Sequence, residues 1–113
     1  MINIPDRGSL IWVNFDPRAG REQSGIRPAI VLSRAAYNQF WLCIVCPITS
    51  QVKWYAFEVI IEKESPIHWA ILSNHVTSID WRSRALEWYE SVCIDEETLK
   101  IVTDYVSGLV NGK

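Results

Sequence analysis

Short runs of β-branched and aromatic residues, separated by turn-forming residues, predict a chain built mainly of strands. The run Leu42–Thr49 is apolar almost without interruption, which is typical of a strand buried on both faces. A short helical turn is expected just before it, at Arg34–Gln39. The other predicted strands are Ser9–Phe15, Ala29–Ser33, Tyr55–Ile61 and Trp69–Ser73, with a shorter extended piece at Leu86–Val92.

The pattern changes to a helical period near the end of the chain. Asp95 is a suitable N-cap residue, and Glu96 and Glu97 complement the positive end of a helix dipole. Apolar residues then recur at three- and four-residue steps and form a wide stripe: Leu99, Val102, Val106 and Leu109, widened by Ile101 and Tyr105. The sequence therefore predicts a small, mostly antiparallel, barrel-like sheet with a C-terminal helix packed on it.

Length and composition indicate one compact domain over residues 1–113. The chain has 113 residues and 49% hydrophobic content, enough for one core. It contains no apolar run of about 18 residues, the length that a membrane-spanning helix needs. Asp6 and Arg7 lie where a signal peptide would have its apolar core, so we expect a cytoplasmic protein without a membrane partner.

The cysteines favour buried thiols over disulfides or a metal site. Their number is odd, which is typical of a reducing compartment. Cys43 and Cys46 have C-x-x-C spacing, but side chains three apart in a strand project to opposite faces. We therefore expect no metal and no cofactor.

Two polar segments at strand ends are the candidate functional elements. Residues 20–33 read GREQSGIRPAIVLS, a glycine-containing charged loop that enters a strand through Arg27-Pro28. Pro28 favours an extended conformation at Arg27, which fixes a guanidinium where the loop meets the strand. Residues 45–53 read VCPITSQVK, in which another strand ends in hydroxyl, amide and ammonium groups.

In order and spacing, these segments resemble the MazF/PemK family of toxin endoribonucleases. Further matches are the opening RGSLIWVNFDP at residues 7–17, Phe57-Glu58-Val59, and SIDWRSR at residues 78–84, so the resemblance covers nearly the whole chain. It implies an SH3-like barrel of the MazF/PemK/CcdB toxin type and assigns Arg27 and Thr49 as catalytic. Arg27 would stabilise the charge of the transition state and assist proton transfer, and Thr49 would orient the phosphate.

The sequence does not decide which residue acts as the general base. Some relatives have an acidic residue at the position of Asn74, and an amide cannot replace a carboxylate as a base. His75 has an ordinary pKa near 6.5 and can accept a proton, although a strand-end histidine bonded to backbone is the more common finding. We expect both residues to lie in a strand, where successive side chains face opposite ways, so at most one of them should face a shared groove.

Residues flanking the two catalytic positions form the expected RNA-binding perimeter, because single-stranded RNA is read through exposed base edges and stacking. Arg82 and Arg84 either contact RNA phosphates or make surface ion pairs with Asp80 and other local carboxylates. Trp54 stands where the family usually has glycine, so the recognition loop is expected to differ in shape. The perimeter comprises Glu22, Gln23, Ser50, Gln51, Lys53, Asn74, His75 and Arg82.

The resemblance implies a metal-independent endoribonuclease of a type II toxin–antitoxin pair that acts on single-stranded RNA. It also implies a homodimer, inhibition by the acidic tail of a cognate antitoxin, and reaction products with a 2′,3′-cyclic phosphate and a 5′-hydroxyl. The alternatives are a non-enzymatic toxin of the same fold acting on a protein such as DNA gyrase, or a degenerate member that only binds RNA or antitoxin.

The charge distribution fits a local binding groove. Net charge is −2, but residues 1–58 carry six basic and four acidic residues, whereas residues 59–113 carry five and nine. We therefore expect RNA binding with a moderate dependence on salt.

Overall fold

The computed structural model describes residues 4–16, 25–61 and 69–112, and only the backbone of residues 86–93. The helices are α1 (Ala35–Asn38), α2 (Trp81–Arg84) and α3 (Glu96–Asn111), and a 3-10 turn covers Ser73–His75. The strands are β1 (Ser9–Asn14), β2 (Ile26–Val31), β3 (Leu42–Thr49), β4 (Glu58–Ile61), β5 (Trp69–Leu72), β6 (Thr77–Asp80) and β7 (Ala85–Cys93).

Strand β3 is the centre of a mainly antiparallel sheet with the order β4-β5-β3-β2-β1-β7. Its first half pairs with β6, and its last two residues pair with β5. Within the described residues β4 and β7 lie at the two ends of the order and do not pair with each other, so the barrel-like sheet is not closed. The predicted fold class, a mainly β chain with a C-terminal helix, is confirmed.

The sheet separates two apolar cores, and alternate residues of β3 enter each. Cys43 and Val45 belong to the core that includes Phe15 and Trp81. Cys46 and Ile48 belong to the other core, which lies under α3. The two cysteines are therefore on opposite faces, as expected, and burial raises the pKa of each thiol to about 12. The predicted burial of β3 on both faces is confirmed.

Helix α3 begins where the sequence predicts. The Asp95 carboxylate accepts a 2.9 Å hydrogen bond from the backbone N–H of Thr98, and Leu99 and Val102 are buried. The predicted apolar stripe is wider than the buried face of α3, however, because Ile101 and Leu109 are exposed. Only the part of the stripe nearest the sheet is covered. None of the helices in the described residues is long and apolar enough to span a membrane.

Several predicted boundaries are wrong. Strand β2 begins at Ile26 rather than Ala29. Its first residues pair with β1 alone, and a strand that is paired on one side only can contain a proline such as Pro28. Strand β4 begins only at Glu58, after a turn. Strand β6 and helix α2 were not predicted. Asp80 starts α2 by accepting hydrogen bonds from the backbone N–H groups of Arg82 and Ser83.

Candidate functional site

Arg27 and Thr49 lie on one face of the sheet, on neighbouring strands. The antiparallel register of β2 and β3 pairs Ala29 with Pro47. Arg27 lies two residues before Ala29, and Thr49 lies two residues after Pro47. Side chains two residues apart in a strand project to the same face, so Arg27 and Thr49 face the same side of the sheet. Arg27 is half-buried, and Thr49 is buried with 8% of its surface exposed. Both side chains line one pocket.

That pocket, here called the polar pocket, has a volume of about 200 Å³. Strands β2, β3, β4 and β5, the segment after β3 and the 3-10 turn all contribute to its wall. Among the described residues, its lining carries two cations, one carboxylate, one imidazole and one aliphatic hydroxyl: Arg27, Thr49, Gln51, Lys53, Tyr55, Phe57, Glu58, Leu72 and His75. This composition suits a ligand that combines phosphate with a flat ring.

The pocket includes part of the expected perimeter. Gln51, Lys53 and His75 line it, whereas Ser50 and Asn74 are exposed and are not among its described lining residues. Asn74 and His75 lie in the 3-10 turn, so the expectation that they belong to a strand is wrong. Glu22 and Gln23 lie outside the described residues.

Within the described residues, neither Arg82 nor Arg84 forms an ion pair with Asp80 or another carboxylate. The guanidinium carbon of Arg82 lies 3.5 Å from the ring centroid of Trp41, a cation–π contact away from the described lining of the polar pocket. Arg84 donates hydrogen bonds to the backbone carbonyls of Asn14 and Asp16. Asp80 caps α2 instead of pairing with either arginine.

Thr49 is oriented by the segment that follows it. Its Oγ1 accepts a 3.0 Å hydrogen bond from the backbone N–H of Gln51. A hydroxyl that accepts in this way keeps its own proton for a second partner. The threonine can therefore donate to an oxygen atom of a ligand in the polar pocket.

Tyr55, Phe57 and Glu58 line the pocket but are not part of the predicted RNA-binding perimeter, although Phe57 and Glu58 belong to a motif that matches the family. Oε1 of Glu58 accepts hydrogen bonds of 2.9 Å from the backbone N–H groups of Lys53 and Trp54. The rings of Tyr55 and Phe57 stack with centroids 5.3 Å apart and planes 22° apart. The alternation Gln51, Lys53, Tyr55, Phe57 was the available signal, since every second residue of this segment lines the pocket.

A second cavity of about 220 Å³ lies among residues of the other sheet face. It is lined by apolar and aromatic side chains: Leu10, Trp12, Pro28, Ile48, Ile61, Trp69 and Ile94. These side chains carry no charged or aliphatic hydroxyl group, so the described lining of this cavity offers no cation for an anionic ligand.

Comparison with known proteins assigns the family. The model of the PemK-like, MazF-like toxins of type II toxin–antitoxin systems matches residues 6–108. This chain belongs to that family. The segments that carry the polar pocket all fall within the matched range, so this MazF-like toxin has its candidate site in the part of the chain that defines the family.

Individual relatives agree with this assignment. The endoribonuclease toxin MazF of Escherichia coli K12 is 48% identical over 82 residues, which cover 72% of this chain and 73% of that protein. A crystal structure of MazF from Deinococcus radiodurans matches with a TM-score of 0.87 and 40% identity, covering 97% of this chain and 99% of that one. A MazE–MazF crystal structure from the same organism matches with a TM-score of 0.82 and 40% identity, over 99% and 100%.

In this MazF-like toxin, Trp54 occupies a position with glycine-like backbone geometry. Its φ is 62°, in the left-handed region that a bulky residue adopts only at a cost. The carboxylate of Glu58 holds the backbone there through the N–H groups of Lys53 and Trp54. The loop thus accommodates a tryptophan in a backbone conformation that favours glycine.

Proposed function

We propose that this chain is a sequence-selective, metal-independent endoribonuclease toxin that cleaves single-stranded RNA, with mRNA as the main substrate. The observation that carries the proposal is the convergence of Arg27 and Thr49 in the polar pocket. The relatives named above as endoribonuclease toxins support the same activity. RNA carries its own nucleophile, the 2′-hydroxyl, so the protein needs only to position the phosphate and stabilise charge.

Arg27 and Thr49 act on the phosphate that is cut. As the 2′-oxygen attacks phosphorus, negative charge builds up on the non-bridging oxygens, and stabilisation of such charge is commonly the largest catalytic term. The guanidinium of Arg27 donates to these oxygens in a forked geometry, and the Thr49 hydroxyl orients one of them. The products are a 2′,3′-cyclic phosphate and a 5′-hydroxyl.

The rest of the polar pocket binds the neighbouring nucleotides. Lys53 pairs with an adjacent phosphate, and Gln51 reads a base edge. The stacked rings of Tyr55 and Phe57 offer a surface on which an unpaired base can stack. Glu22, Gln23, Ser50, Asn74 and Arg82 complete the predicted perimeter, and their contributions stay predictions.

A cognate antitoxin is the proposed protein partner, and the match to a MazE–MazF structure supports it. An acidic antitoxin tail in the polar pocket would pair its carboxylates with Arg27 and Lys53, the cations that otherwise bind phosphate. We further propose that the toxin is a homodimer and acts in the cytoplasm on translated RNA. Light scattering of the purified protein measures the dimer directly.

Incubation of the purified protein with a long RNA in EDTA, followed by mapping of the new 5′ ends, tests the proposal. Cuts at a recurring short sequence are expected. Intact RNA would favour a non-enzymatic toxin acting on a protein such as DNA gyrase, or a member that only binds.

Variants of the two catalytic residues sharpen the test. Arg27→Ala and Thr49→Ala should each lower the cleavage rate by about 100- to 1000-fold, the cost of removing one donor to a charged transition state. Arg34→Ala and Thr77→Ala remove the same groups outside the described pocket lining and should cleave at the normal rate. If the folded Arg27→Ala and Thr49→Ala proteins keep full activity, the assignment is wrong.

A further inference from the structure

His75 brings an imidazole into the polar pocket beside the two groups proposed to act on the phosphate. It is the last residue of the 3-10 turn that follows β5, and it is half-buried. The same pocket is lined by Arg27 from β2 and by Thr49 from β3. A proton acceptor at this position lies on the wall that the reacting phosphodiester would face.

The other polar groups of the described lining are less suited to accept a proton. Arg27 and Lys53 are cationic donors. Oε1 of Glu58 is already engaged by two hydrogen bonds from the backbone N–H groups of Lys53 and Trp54, which hold the carboxylate against the loop. Asn74, next to His75, carries an amide, and it is exposed outside the described lining.

We infer that His75 is the general base of the cleavage reaction, and this inference rests on the proposed function. The imidazole takes the proton of the 2′-hydroxyl while the 2′-oxygen forms its bond to phosphorus and the bond from phosphorus to the 5′-oxygen breaks. The departing 5′-oxygen takes a proton from a water molecule. The imidazolium then releases its proton, which neutralises the hydroxide left by that water.

The environment of His75 keeps the imidazole ready to accept a proton at neutral pH. Burial lowers the pKa of His75 below its ordinary 6.5, because the charged imidazolium is disfavoured away from water. Within the pocket it shares space with Arg27, Lys53, Tyr55 and Glu58. Of the elements packed against its turn, β3 presents the uncharged Thr49, and the charged residues Lys100 and Asp104 of α3 pair with each other in solvent.

The sign of the pH dependence follows from this lowered pKa. The neutral imidazole is the active form, so cleavage should be constant near neutral pH and should fall as the pH drops through a value below 6.5. A wild-type profile of kcat/KM against pH is therefore expected to have an acidic limb that belongs to His75.

The test measures cleavage of a short RNA by the full chain over a range of pH. His75→Gln and His75→Ala should lower kcat by about 100-fold or more, the usual contribution of a general base, and should lose the acidic limb. Imidazole added to His75→Ala should restore part of the rate, whereas the side chain of His75→Gln should block such rescue. Glu58→Gln should retain the acidic limb, because it leaves the imidazole in place.

A binding measurement distinguishes a general base from a residue that only binds the substrate. The measured Kd is for the same RNA with a 2′-deoxy nucleotide at the cut position, which removes the nucleophile. His75→Gln should bind it within about twofold of the wild-type protein, since a glutamine side chain keeps hydrogen-bonding groups at that position.

Three results would overturn the inference. The first is a His75→Gln protein with wild-type kcat and the same acidic limb, and the second is a loss of that limb in Glu58→Gln instead. The third is a His75→Gln protein that binds the 2′-deoxy RNA more weakly and keeps the wild-type kcat. In each of these cases RNA cleavage by the wild-type protein still supports the proposed function. An RNA that the wild-type protein does not cut at any pH would overturn both.

Discussion

The backbone N–H of Trp54 donates a 2.9 Å hydrogen bond to Oε1 of Glu58, which also accepts from the N–H of Lys53. This bond crosses from β4 to the loop and holds Trp54 in its left-handed conformation. Lys53 and Tyr55 flank Trp54, and both side chains line the polar pocket. The carboxylate therefore fixes the positions of a cation and an aromatic ring without itself needing to touch a substrate.

Removal of the Glu58 carboxylate should release this loop. Glu58→Ala should lower the free energy of unfolding by about 1–2 kcal/mol, because two partly exposed hydrogen bonds are lost. Glu58→Gln keeps an acceptor oxygen at the same place and should lose less than half as much. Urea unfolding followed by tryptophan fluorescence measures both. Equal losses in the two variants would show that the hydrogen bonds do not matter to stability.

Tyr55 should set much of the affinity for RNA. Tyr55 is 54% exposed and its ring stacks on Phe57, so an unpaired base can stack on the tyrosine ring. Tyr55→Ala should weaken binding of a short single-stranded RNA by about 5- to 150-fold, the range for one base on one ring. Tyr55→Phe keeps the ring and should bind nearly normally.

Phe40→Ala provides the matched control for Tyr55. Phe40 is 67% exposed, close to the exposure of Tyr55, and it is not among the described lining of the polar pocket. Fluorescence anisotropy of a labelled RNA compares the variants at one salt concentration. Equal losses in Tyr55→Ala and Phe40→Ala would indicate a general effect of exposed aromatic residues and no stacking site.

The parts of the fold that the sequence predicts well are those with a strong local pattern. The bounds of β3 are predicted to the residue, since its apolar run starts after a turn and ends at polar residues. The N-cap of α3 is likewise a local signal, Asp95 followed by two glutamates. Strand β6 and the 3-10 turn depend on pairing and packing with β3 and α3, which no local pattern records.

In the candidate site, too, the residues carried by local motifs were predicted and those that depend on long-range pairing were not. Arg27 and Thr49 stand at the ends of motifs, and a register between neighbouring strands is enough to bring them together. Glu58 and Tyr55 reach the pocket only because β4 pairs with β5 and β5 pairs with the last residues of β3. Such a chain of long-range pairings cannot be read from the spacing of residues in one sequence.

Asn38 should be among the most sensitive positions of the fold. Its side chain is fully buried, accepts a 2.6 Å hydrogen bond from the Ser33 hydroxyl and donates to the carbonyls of Pro5 and Ser33. Asn38→Ala should cost about 3 kcal/mol of unfolding free energy, because buried partners lose their hydrogen bonds. Urea unfolding measures the loss.

Gln39→Ala is the control for Asn38. The neighbouring amide of Gln39 is exposed and donates one hydrogen bond to the carbonyl of Ala36. Its removal should change the free energy of unfolding by less than about 0.5 kcal/mol. A similar cost for both variants would mean that loss of any polar contact at the end of α1 explains the effect.

The ion pair between Arg7 and Glu96 should make stability depend on pH in the acidic range. Nη1 of Arg7 donates to both carboxylate oxygens of Glu96, at 2.8 and 2.7 Å, and joins the residues before β1 to the first turn of α3. The hydrogen bond from Arg7 lowers the pKa of Glu96 below 4.5. A carboxyl with a lowered pKa stabilises the fold above its unfolded pKa, and this contribution disappears as the pH falls through the folded value.

Urea midpoints of the wild-type protein and Arg7→Gln, measured between pH 7 and pH 3, check this sign. The wild-type protein should be more stable near neutral pH, and the difference should shrink once the pH drops below about 4.5, the ordinary pKa of the Glu96 carboxyl. Asp6 also has a lowered pKa, but the backbone N–H groups of Ala35 and Arg7 cause most of that shift and remain in the variant. Lys100→Gln breaks a pair within α3 and should move the midpoint less, since both partners are exposed and four residues apart. A constant difference between wild type and Arg7→Gln down to pH 3 would mean that Arg7 acts through packing, not through the Glu96 charge.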